Sequence, residues 1–170
     1  MGGKYPIARA AEQAGEAEHH AKAVRWTGGE KDAISLLETP IPWRDYPAAV
    51  ALRDRIMGIA GEPGGKALIG RLRSVILAQQ EFRRRELAKG NLSLERIREL
   101  AHWQRWRWQL AYNLKRLAGR HKEWADDLAA IEEAILSSRV NGQATALPVL
   151  EWLQLPTRWA EFLTRKENRR

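Results

Sequence analysis

Between Lys66 and Ala118 an apolar residue returns every three to four positions, with Gly90 as the interruption, and this pattern constrains the fold more than any other feature of the chain. Such spacing puts apolar side chains along one side of an α-helix and polar ones along the other. Two helices are expected. The first covers 66–89, with Leu68, Ile69, Leu72, Val75, Ile76 and Leu87 on a broad apolar side, and Gly90 as its stop. The second starts at Ser93, a capping residue with Glu95 near the positive helix end, and runs to about Ala118 before Gly119. Helices with one apolar side must bury it against other helices.

The rest of the chain supplies them. Residues 8–25 are rich in alanine and glutamate and favour helix, but Ile7 and Val24 are their only larger apolar neighbours, so this segment buries little. Gly28, Gly29, Pro40 and Pro42 mark the stretch from Trp26 to Tyr46 as a long irregular connection. Pro47 suits the first turn of a helix reaching Ile59, with Asp45 or Tyr46 near its cap. Another helix is expected over 122–137, then a polar loop at Asn141, Gly142 and Gln143, then one or two short helices framed by Pro148 and Pro156. No alternating strand pattern competes and no repeat of fixed period is found. The expected fold is all-α, a compact bundle of about five to six helices, forming one domain over 1–170, in which 1–45 is a loosely packed helix and linker and 46–170 the main bundle.

The absence of cysteine excludes disulfides, thiolate catalysis and cysteine-based metal sites, and suits a reducing, cytoplasmic setting. No signal-like apolar region opens the chain, and no run approaches the roughly 18 apolar residues that a membrane span needs. No membrane partner is expected.

The charge is uneven. The chain carries 29 Lys and Arg against 21 Asp and Glu, and 15 of those cations fall in 66–122 with four glutamates. Both flanks are slightly acidic. On a helical wheel Arg98, His102, Arg105, Gln109, Tyr112, Arg116 and Arg120 fall within about 40° of one line. The stripe holds no acid. Roughly opposite lie Leu100, Trp103, Trp106, Leu110, Leu114 and Leu117, the side expected to face the core. Arginine forks onto phosphate oxygens, and His, Gln and Tyr add hydrogen-bonding or stacking capacity. The candidate nucleic-acid-binding residues are therefore Arg98, His102, Arg105, Gln109, Arg116 and Arg120, joined by Arg71, Arg85 and Lys89 from the preceding helix. Arg107 falls within the apolar side, where an ion-pair partner such as Asp126 or Asp127, or a neighbouring subunit, is expected. Trp26, Trp43, Trp124, Trp152 and Trp159 read as core or interface anchors rather than stacking platforms.

Other chemistry is poorly represented. Residues 60–67 approach a phosphate-loop pattern, but Ala67 replaces the metal-binding hydroxyl and no apolar strand precedes them, so they read as a glycine-rich linker. His19, His20, His102 and His121 lack metal-ligand spacing, although Asp126 and Asp127 could approach His121. No serine sits in a nucleophile elbow. No catalytic residue, metal or cofactor is expected, and the chain reads as a non-enzyme.

Leu110-Ala-Tyr-Asn-Leu-Lys-Arg116 resembles the Leu-Ala-Tyr-x-x-x-Arg segment of the small helical subunits of type III CRISPR RNA-guided effector complexes. In those proteins the segment follows an Arg-containing helix, for which Gly70-Arg-Leu-Arg73 or Leu94-Glu-Arg-Ile-Arg98 could stand. The motif is short, and the resemblance covers about residues 66–120. It implies a non-catalytic structural subunit of an antiviral ribonucleoprotein complex, touching the backbone of RNA or single-stranded DNA and contacting other subunits, copies of itself included. Arg116 matches the motif arginine, and Tyr112 is expected to pack. The small subunit of type I complexes is similar in kind. Two rivals remain open: a phage or plasmid DNA-binding packaging or regulatory protein, and a helical scaffold for an acidic protein partner.

Overall fold

A computed structural model describes residues 7–26, 29–30, 32–87 and 106–167. Helices dominate the described residues, in the chain order α1 (Ile7–Ala23), α2 (Tyr46–Gly61), α3 (Lys66–Leu87), α4 (Trp106–Arg120), α5 (Ala125–Ser137), α6 (Val149–Trp152) and α7 (Gln154–Glu167). The mostly helical fold expected from the periodicity is the fold observed. α3 packs against α2, α4 and α7, while α5 covers α4 and α7 lies along α2.

One apolar cluster holds the helices together. It takes in Leu52, Ile56 and Ile59 of α2, Leu68, Leu72 and Ile76 of α3, Leu110, Leu114 and Leu117 of α4, and Leu128 and Ile131 of α5. Trp152 and Leu155 close it from the carboxyl-terminal side. Fully burying one such side chain stabilises the fold by about 1.5–3 kcal/mol. α1 buries none of its residues and rests on the following hairpin, as its alanine-rich composition leads one to expect.

The connection before α2 differs from expectation. Instead of an irregular linker it contains two hairpins, β1 (Arg25–Trp26) with β2 (Gly29–Glu30) and β3 (Ala33–Leu36) with β4 (Thr39–Pro42). Pro40 and Pro42 argue against a strand interior, but β4 pairs with β3 alone. Its turn places Leu37 and Glu38 at φ 48° and 63°, a conformation usually left to Asn-Gly. Arg158 fastens that turn, donating to the Leu37 carbonyl at 3.1 Å and to the Glu38 carboxylate at 3.0 Å. Ile41 is fully buried, so the hairpin belongs to the core. The polar loop near Asn141 is also a small hairpin, β5 (Arg139–Val140) with β6 (Gln143–Ala144).

Two further features fix the frame. Asp45 stands at the α2 cap position but makes no side-chain cap bond there. Its buried carboxylate accepts instead from the backbone N–H groups of Ala146 and Leu147, at 2.7 and 2.9 Å, tying the start of the bundle to its last third. Between α2 and α3 the chain reverses through Glu62–Gly65, which is the linker expected in place of a phosphate loop. A Cβ at Gly65 would stand 1.7 Å from the Ile59 carbonyl oxygen, so only glycine fits the turn.

Candidate nucleic-acid interface

α4 is amphipathic in the way its sequence dictates. Trp106, Leu110, Leu114 and Leu117 are buried against α3 and α5. The opposite side exposes Trp108, Gln109, Tyr112, Lys115, Arg116, Gly119 and Arg120, and contains no acidic residue. Gln109, Arg116 and Arg120 thus lie together on one open face, as the helical wheel places them. Lys115 and Tyr112 extend that face, and Lys122 continues the positive charge past the helix end.

The cations differ between the two basic helices. On α3, Arg71 donates to the Asn113 carbonyl at 2.5 Å and is part-buried, so it fastens α3 to α4. Arg83 lies 2.6 Å from Glu151, Arg84 2.5 Å from Glu81 and Arg73 3.6 Å from Glu161. On the outer side of α4, Lys115, Arg116 and Arg120 make no ion pair with any described residue. Lys89, Arg98, His102 and Arg105 lie outside the described residues, as do Leu100, Trp103 and the Ser93 cap. Arg85 lies in α3, and its side chain is outside the description.

Two expectations on α4 are corrected. Arg107 is exposed rather than buried among the apolar residues, with its guanidinium 5.5 Å from the centre of the Trp106 ring. It needs no acid, because the long side chain reaches water past the tryptophan. Asp127, one of the partners suggested for it, pairs with Arg55 at 2.7 Å. Tyr112, expected to pack, is 58% exposed.

His121 does not gather a metal site with Asp126 and Asp127. Its ring stacks on Trp124, with centroids 3.9 Å apart, and Nδ1 lies 3.2 Å from the Glu123 carboxylate. The Glu123 carboxyl is held below the usual glutamate range, chiefly by its own backbone N–H and then by His121. Among the described residues no group of three or more His, Asp or Glu could hold a metal ion, and no helix is long and apolar enough to cross a membrane.

The chain matches no family model, no curated protein and no solved structure.

Sequence reasoning missed Trp108. It is 59% exposed and stands one helical turn before Tyr112, on the same side as Lys115 and Arg116. The wheel carried the signal, since Trp108 falls well away from Leu110 and Leu114; hydropathy alone assigns tryptophan to an interior. Of the other tryptophans, Trp124 and Trp152 are buried anchors, Trp159 is partly buried beneath Arg53 at 4.1 Å, and Trp43 is half exposed against Tyr46. The Trp26 side chain is outside the described residues.

Proposed function

We propose that this chain is a non-catalytic, nucleic-acid-binding structural subunit of a ribonucleoprotein assembly of the CRISPR effector kind, gripping the sugar-phosphate backbone with the outer face of α4. One observation carries the reading: Lys115, Arg116 and Arg120 share an open, acid-free face and pair with no described acid, while each described arginine of the neighbouring basic helix has a partner. An ordinary solvent-facing helix mixes signs for pairing one turn apart. Arginine and lysine that no described acid pairs suit phosphate, because each contact releases condensed counterions. The assignment to a CRISPR-type complex rests on the Leu-Ala-Tyr-x-x-x-Arg resemblance, in which Arg116 is the matching arginine.

Binding should weaken steeply with salt, by about 0.7 in the slope of log K against log salt for each phosphate contacted on a single strand. Titrating labelled RNA and DNA at several salt concentrations tests this, with Arg116→Glu/Arg120→Glu as the variant. Salt-independent binding, or a variant that binds as the native chain does, would remove the reading.

A second reading, a scaffold for an acidic protein partner, is favoured by the same exposed Trp108 and Tyr112, since aromatic residues among arginines also anchor protein interfaces. Nucleic acid would then fail to bind or to compete.

A further inference from the structure

Resting on the nucleic-acid reading above, Trp108 and Tyr112 point to the form of the ligand. Their side chains are 59% and 58% exposed, and neither makes a hydrogen bond or ring contact with a described residue. They share the outer face of α4 with Lys115, Arg116 and Arg120. Aromatic rings beside uncompensated cations form the surface on which bases stack while phosphates run alongside. Their separation then discriminates between nucleic-acid forms. Four residues of α-helix rise about 6 Å, whereas neighbouring bases of a duplex strand follow one another at about 3.4 Å. Two adjacent bases can each meet a ring only if the strand is drawn out of its stack. A duplex withholds base faces altogether, because they are covered by the next pair.

We infer that the outer face of α4 takes single-stranded nucleic acid, with neighbouring unpaired bases stacked on Trp108 and Tyr112 and the adjoining phosphates on Lys115, Arg116 and Arg120. Stacking needs no particular base, so recognition is tolerant of sequence and selective for strand form.

The test is fluorescence anisotropy on the full chain with four labelled probes of equal length: a uridine strand, a thymidine strand, an RNA duplex, and a strand of abasic sugar-phosphate. The uridine or thymidine strand should bind at least about ten-fold tighter than the abasic one, which is the effect of one stacked base. In Trp108→Ala/Tyr112→Ala that ratio should fall to near one. Trp108→Phe/Tyr112→Phe keeps an aromatic face at both positions and should retain most of it. If the alanine variant keeps the full ratio, or if duplex binds as tightly as the single strands, the stacking inference is overturned. In that event a loss of binding in Arg116→Glu/Arg120→Glu would leave a face that reads backbone only. If the glutamate variant binds every probe as the native chain does, the nucleic-acid reading fails and takes the stacking inference with it.

Discussion

The two basic helices, α3 and α4, look alike in the sequence and differ in what their cations do. The described arginines of α3 each have a partner: the part-buried Arg71 a carbonyl of α4, and, in surface ion pairs, Arg73 an acid of α7, Arg83 an acid of α6, and Arg84 an acid of its own helix. Those of α4's outer side make no ion pair with a described residue. Charge density along a chain therefore does not by itself locate a binding surface; what matters is the charge left over after the fold has used its share. It follows that a change at the part-buried Arg71 should be read out mainly in stability, and changes on the α4 face mainly in binding.

The largest expected effect lies at the turn that sets α3 against α2. Gly65→Ala would drive a methyl group into the Ile59 carbonyl, a backbone atom that cannot swing aside. Loss of more than about 3 kcal/mol is expected, enough to unfold a marginally stable domain. Urea unfolding followed by circular dichroism measures it, and a near-native midpoint would mean that the turn relaxes.

On the other side of the comparison, Arg116→Glu/Arg120→Glu should lower nucleic-acid affinity by about a hundred-fold or more at low salt, since two attractive contacts become repulsive. Its melting temperature should stay close to the native value, because both side chains are exposed and make no ion pair with a described residue. A variant that lost binding only by unfolding would collapse the distinction between the helices. Arg71→Met should do the reverse. Removing a charged donor from the part-buried Asn113 carbonyl should cost about 1.5–3 kcal/mol of stability. Arg71 was among the sequence candidates for phosphate contact, so its affinity change, measured with folded protein, is the sharper test: a loss equal to that of Arg116 would return α3 to the interface.

The helices and their inward faces were legible because periodicity is local: Leu110, Leu114 and Leu117 lie where the wheel puts them. What joins distant segments was not legible. Asp45 looks like an ordinary cap in sequence, and nothing near it announces a partnership with Ala146 and Leu147. The hairpin of Ala33–Leu36 with Thr39–Pro42 was hidden by its prolines and by a Leu37-Glu38 turn whose backbone conformation those residues seldom adopt. At the candidate site, Arg116, Arg120 and Gln109 were placed correctly on one open face by the wheel alone. The exposure of Trp108 and Tyr112 was less legible, because aromatic character alone does not tell a ring on the surface from one in the core. Whether Arg71 was spent within the fold or free could not be read at all, since its partner lies 42 residues away.

The smallest effect separates two glycines, one on each side of the comparison. Gly119 sits in the last turn of α4, and a Cβ there would meet nothing within 4 Å. Gly119→Ala should therefore stabilise the chain by about 0.4–1 kcal/mol, by restricting the unfolded backbone where the folded one already suits alanine. The same substitution at Gly65 is expected to be ruinous. If the outer face of α4 carries a backbone strand, the new methyl group, standing between the tracks of Lys115 and Tyr112, also probes how closely the ligand approaches. Unchanged affinity in the stabilised variant would mean that long side chains hold the strand clear of the helix. A clear loss would mean that sugar or phosphate comes down onto the helix surface at Gly119, and the interface would then extend to the end of α4.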